Sequence, residues 1–107
     1  MKIVILDNNS DRKEKHKKFW DRHFPEYDLT IYENLSIEKI DELDCDWLLV
    51  HNNNNESQFI DEKENCNYFR VFFEGDREDR TPNEYSDEKL WYVAESFLNE
   101  FMQNKLK

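Results

Sequence analysis

The sequence predicts an α/β domain: an open parallel sheet of about four strands in the order 2-1-3-4, flanked by helices and closed by a long C-terminal amphipathic helix. Three observations carry this expectation. Residues 2–6 (Lys-Ile-Val-Ile-Leu) are an apolar run of the kind buried on both faces of a helix-covered parallel sheet. Two further runs, residues 47–50 (Trp-Leu-Leu-Val) and residues 68–73 (Tyr-Phe-Arg-Val-Phe-Phe), recur with helix-compatible segments between them. Glycine occurs once and proline twice, too few turn formers for a hairpin-rich β fold.

The elements read in order as follows. The first strand, residues 2–6, runs into Asp7-Asn8-Asn9. Ser10 reads as the cap of a first helix, with Asp11 in its first turn, where the helix dipole favours a negative charge. That helix extends to about Arg22 or His23, with His16, Phe19, Trp20 and His23 on its inner stripe, and Pro25 ends it. Residues 28–33 alternate and suit a second strand near a sheet edge. Ser36 caps a short helix with Ile37, Ile40 and Leu43 at spacing three. The third strand, residues 47–50, leads to His51 and the tract Asn52–Asn55. Residues 56–64 suit a weak helix anchored by Phe59 and Ile60. The fourth strand, residues 68–73, is followed by a charged loop, residues 74–85, around Gly75 and Pro82. Ser86 then caps the strongest helix, in which Leu90, Val93, Ala94, Phe97, Leu98, Phe101 and Met102 form one apolar face.

A chain of 107 residues makes one domain, spanning residues 1–107, with one modest core. Aromatic residues are 15% of it, enough to fold despite 37% charged residues. Residues 1–23 hold seven Lys/Arg and four Asp/Glu, net +3, and residues 24–107 hold eight and twenty-one, net -13, which sum to the formal charge of -10. An acidic surface repels phosphate backbones, which argues against direct nucleic-acid binding. The basic stretch Arg12, Lys13, Lys15, Lys17, Lys18 and Arg22 suits an acidic partner or the acidic surface of a second copy. Cys45 and Cys66 are 21 residues apart, which fits no zinc or redox motif. Met1 leads directly into a strand, and no apolar run approaches the roughly 18 residues of a membrane span, so a cytoplasmic protein with reduced thiols is expected.

In an open parallel sheet, ligands gather at the C-terminal ends of the strands where the strand order reverses. With the order 2-1-3-4, that point lies between the first and third strands. Asp7, Asn8, Asn9, His51, Asn52 and Asn53 converge there in this reading, joined by Glu74 and Asp76 from beyond the fourth strand. The pattern resembles a response-regulator receiver domain of the flavodoxin-like class, which implies a bacterial signalling setting. In that family, paired acids after the first strand and an Asp ending the third strand hold Mg²⁺, and that Asp accepts a phosphoryl group. A Ser/Thr ends the fourth strand and a Lys the fifth. Here Asp7 is flanked by Asn8 and Asn9, His51 or Asn52 stands at the acceptor position, Glu74 follows the fourth strand, and no fifth strand or its lysine is evident. The resemblance therefore implies a shortened pseudo-receiver with no cofactor, because one carboxylate beside amides holds Mg²⁺ poorly. Asp7-Asn8-Asn9 also resembles the Asp-x-Asp start of haloacid-dehalogenase-type phosphatases, with Asn9 in place of the second acid.

Other metal and ligand arrangements are weaker. His16 and His23 are separated by about 10 Å along a helix. Glu74, Asp76, Glu78 and Asp79 lack the spacing of a calcium-binding hand. The Asn residues around Asn8–Asn9 and Asn52–Asn55 suit loop positions with left-handed backbone, or hydrogen bonding to a small polar ligand.

Three functions follow. The first is a non-enzymatic regulatory or protein-interaction module, docking on a protein partner or self-associating through Trp91, Tyr92, Phe97 and Phe101 of the last helix, a homodimer included. The second is an acidic inhibitor, of a kind a phage would carry, mimicking nucleic acid. The third is a small enzyme or ligand-binding domain in which Asp7 and His51 lie within hydrogen-bond reach of each other.

Overall fold

The structure, a computed structural model, describes residues 1–75, the backbone of residues 83–84, and residues 89–107. Asp76, Glu78, Asp79 and Pro82 of the charged loop, and the expected cap Ser86, lie outside the described residues.

The order along the chain is β1 (Lys2–Leu6), α1 (Ser10–His23), β2 (Asp28–Tyr32), α2 (Ile37–Asp41), β3 (Trp47–His51), α3 (Ser57–Glu62), β4 (Phe69–Glu74), β5 (Asn83–Glu84), β6 (Leu90–Ala94) and, after a 3₁₀ turn at Glu95–Phe97, α4 (Leu98–Leu106). The strands form one sheet in the order β2-β1-β3-β4-β6-β5. The first five are mutually parallel, and the two-residue β5 runs antiparallel to β6. The expected order 2-1-3-4 therefore holds, and the sheet continues one parallel strand further.

Alternation along each strand divides the core in two. Ile3, Ile5, Trp47, Leu49, Val71, Phe73, Trp91 and Val93 face α1 and α4, where Phe19, Trp20, Leu98, Phe101 and Met102 cover them. Val4, Leu6, Leu48, Val50, Phe72 and Leu90 face the other way, onto Ile40 of α2 and Ile60 of α3. Strands buried on both faces need apolar residues at every position, which is why β1 and β3 read as unbroken runs. Arg70 is the exception, buried in β4. Its guanidinium donates to the carbonyls of Ile60 (3.0 Å), Asp61 (3.3 Å) and Lys63 (3.0 Å), at the C-terminal end of α3, where carbonyls outnumber the helical N–H donors.

Several local expectations are corrected. The segment from residue 90 is not helical at first: Leu90–Ala94 is the parallel strand β6, paired with Arg70–Glu74 of β4. A five-residue apolar run is compatible with a helix or with a strand buried on both faces, and periodicity alone does not separate them. The open side of β4 selects the strand, and Leu90 and Trp91 then bury on opposite faces. The closing helix is real but short, nine residues, with Leu98, Phe101 and Met102 as its buried stripe. Trp91 and Phe101, expected at a partner interface, are 6% and 4% exposed. Trp91 stacks on Trp47 at 5.6 Å and meets Phe101 at 5.9 Å, so these rings are consumed by the core. Tyr92 and Phe97 are half-buried. The cap of α1 is Asn9, whose side chain accepts from the Arg12 amide, one residue before the expected Ser10. Ser36 caps α2 as expected, but Ile37 is exposed.

Candidate functional site

The C-terminal ends of β1, β3, β4 and β6 carry Asp7, His51, Glu74 and Glu95. β1 delivers Asp7 into the interior: its side chain is fully buried, and its backbone N–H continues the ladder by donating to the Tyr32 carbonyl (3.0 Å). A buried carboxylate must be paired and hydrogen-bonded, and α1 supplies the partners. Asn9 caps the helix and so fixes its first turn beside Asp7. The next turns then aim Arg12 and His16, four residues apart on one face, back at the carboxylate.

Both oxygens of Asp7 are engaged. Oδ1 accepts from the Asn9 amide (3.1 Å) and from Arg12 Nη2 (3.0 Å), and Oδ2 accepts from Arg12 Nε (2.9 Å) and meets His16 Nε2 at 3.0 Å. Burial alone would raise the Asp7 pKa. The hydrogen bonds from His16, Arg12 and the Asn9 amide, with the Arg12 charge, outweigh it and bring the pKa from 3.8 down to about 2. The same pairing raises the pKa of Arg12.

His51 is held by a separate set. Its Nδ1 accepts from the Asn53 amide (3.2 Å), which places the ring proton on Nε2, 2.9 Å from Glu95 Oε1. Phe73 fills the space between the two histidines, its ring edge-on to His16 at 5.6 Å and to His51 at 5.2 Å. Arg12 Nη1 also lies 3.6 Å from Glu95 Oε1. A continuous relay therefore runs His16–Asp7–Arg12–Glu95–His51. Asp7 and His51 are thus joined through Arg12 and Glu95 and do not form the direct pair expected from the sequence.

The remaining candidates are structural brackets. Asn52 donates to Glu74 (3.0 Å), tying β3 to β4. Asn8 is exposed, and its amide donates to Asn54 Oδ1 (3.2 Å). Asn54, buried, also donates to the Glu33 carbonyl (2.9 Å) and so links the loops after β1, β2 and β3. Among the described residues other than glycine, positive φ occurs at Asn65 (φ 57), so the tract Asn52–Asn55 does not serve left-handed backbone, and Asn52 and Asn54 use their side chains for hydrogen bonding instead.

A cleft of about 300 Å³ opens beside the relay, lined by Arg12, Lys15, His16, Glu95, Ser96 and Asn99. Among the described residues, no three His, Cys, Asp or Glu side chains are grouped to hold a metal ion, and no helix is long and apolar enough to cross a membrane. Cys45 is half-buried, and burial followed by the charges of Asp46 and Asp44 pushes its thiol up to about 12, away from nucleophilic chemistry.

Sequence reasoning missed Arg12 and Glu95 as members of the site and placed His16 only in the inner stripe. The signal for Arg12 and His16 was their four-residue spacing just after a strand-ending acid. Glu95 was hidden because the run before it read as helix. Read as a strand, Leu90–Ala94 puts Glu95 at the same tip position as Asp7. The chain matches no family model, no curated protein and no solved structure.

Proposed function

We propose that this chain is a non-enzymatic regulatory or protein-interaction module with a receiver-like arrangement, whose strand-tip pocket is closed by its own ion pairs. The observation that supports this reading is the saturation of Asp7: its two oxygens already take a guanidinium, an imidazole and a backbone amide. Mg²⁺ needs free, anionic oxygen ligands in octahedral array. Arg12 occupies the place where such a cation would neutralise the carboxylate, and it cannot be deprotonated to yield that place. At the third strand tip, both nitrogens of His51 are engaged, by Asn53 and Glu95. Neither side chain is left to accept a phosphoryl group or to work as a base. A domain of this kind acts through its surface.

The test is intact-mass spectrometry after incubation with Mg²⁺ and a small acyl phosphate. An unchanged mass is expected. A stoichiometric phosphoryl adduct, mapped to the strand tips, would remove this reading.

A further inference from the structure

We propose that two copies of this chain pair through β2, antiparallel about Thr30, to make one continuous sheet. This names the partner and surface of the interaction module above and rests on that reading. At the far side of the sheet β6 is covered by β5, whereas among the described residues β2 pairs with β1 alone and forms an edge of the sheet. An edge strand offers unpaired N–H and C=O groups to another chain.

The phase of those groups is fixed by two bonds. Asp28 N–H donates to the Met1 carbonyl (3.0 Å), and the Tyr32 carbonyl accepts from Asp7 N–H (3.0 Å). Residues 28, 30 and 32 therefore turn their backbone groups toward β1, and Leu29 and Ile31 turn theirs outward. In an antiparallel pair, hydrogen-bonded partners must both be outward-facing. Placing Leu29 of one copy opposite Ile31 of the other meets that condition twice and puts Thr30 opposite itself on the two-fold axis. The ladder is bounded at both ends, since Tyr27 N–H already donates to Phe24 and the Glu33 carbonyl already accepts from Asn54.

The side chains suit this register. Leu29 and Ile31, half-buried in one copy, become an apolar cross-strand pair on the α1 face. On the opposite face Thr30, exposed, meets Thr30, and Asp28 meets Tyr32, so no like charges are opposed within the ladder. Beside the edge, a groove of about 470 Å³ is lined by Lys13, Lys17, Asp21, Tyr27, Leu29 and Ile31. α1 runs antiparallel to β2, so Lys13 lies toward the Ile31 end and Asp21 toward the Tyr27 end. They are about 12 Å apart along the helix. The two-fold exchanges these ends and brings Lys13 of each copy to Asp21 of the other. Lys17 lies between them, its charge offset by Glu14 at 3.7 Å. The chain as a whole carries -10, but on the α1 face this edge adjoins the residues 1–23 segment of net +3, which offsets part of the repulsion between two acidic copies.

The test is light scattering or sedimentation of the full chain over a concentration series. Twice the chain mass is expected at high concentration. Thr30→Arg, an exposed site, is expected to weaken association about tenfold or more while leaving the unfolding midpoint of the dilute monomer unchanged, because it sets like charges against each other on the axis. Lys13→Glu and Asp21→Lys are each expected to dimerise poorly alone and to dimerise when mixed, since the mixture restores both opposite-charge contacts. A chain that stays monomeric throughout, or a dimer indifferent to Thr30→Arg, overturns β2 pairing. The acyl phosphate experiment judges the closed pocket independently of either result.

Discussion

The strand tips and the β2 edge treat polar groups in opposite ways. At the tips, Asp7 is fully buried and its oxygens are matched by Arg12, His16 and the Asn9 amide, and His51 is matched at both ring nitrogens. Along β2, the outward backbone groups of Leu29 and Ile31 face an open groove. A buried charge cannot be left unmatched, so the chain spent α1 on matching it. An exposed strand edge can wait for a partner, because water serves its groups until one arrives. The region that looks chemical in sequence is the closed one, and the region that looks plain is the open one.

This contrast is broken most severely at Asp7. Asp7→Ala leaves Arg12 and His16 facing a void, and a loss of about 3–4 kcal/mol of unfolding free energy is expected by urea titration. His51→Ala removes the Glu95 bond and the ring packed on Phe73, with an expected loss of about 2–3 kcal/mol in the same measurement.

The pH dependence is next in size. The folded pKa of Asp7 is held below its ordinary value, so its contribution is present above pH 3.8 and is lost as pH falls toward about 2. That contribution is on the order of 2 kcal/mol. Acid unfolding of the wild type is expected to show this dependence across that window, and Asp7→Asn is expected to lack this part of it.

Arg12→Lys keeps the charge but loses the forked contact to both Asp7 oxygens, and about 1–2 kcal/mol of destabilisation is expected. At the edge the effect is smallest: Thr30→Val is expected to change the stability of the folded chain by less than about 0.5 kcal/mol. Hydrogen exchange sharpens the same contrast. In dilute protein the amides of Leu29 and Ile31 are expected to exchange faster than that of Thr30, and to gain protection as concentration rises.

Much of the fold was legible because two-sided burial writes an unmistakable pattern. Ile3 to Leu6 and Leu48 to Val50 leave no polar position, and that excludes a half-exposed strand or a surface helix. The run Leu90–Ala94 was misread because the same density of apolar residues continues into α4, and the helical spacing of Leu98, Phe101 and Met102 was extended backward across the strand. The strand tips were located correctly from strand ends alone, and Asp7, His51, Asn52 and Glu74 all lie there. Their partners were not legible. Arg12 sits in a basic stretch that reads as a solvated face, and only the fold turns that one side chain inward while Lys15 and Lys18 remain exposed. Asn54 was hidden for a similar reason: a tract of four asparagines does not show which amide is buried.

The closed pocket is tested most directly by the titration of the Asp7 side-chain carboxyl, followed by its ¹³C chemical shift with and without Mg²⁺. A single transition at about 2, unmoved by Mg²⁺, is expected from the Arg12 and His16 contacts. A midpoint at or above the ordinary 3.8, or a Mg²⁺-dependent shift at neutral pH, would mean that the carboxylate is available to ligands and that the pocket is open.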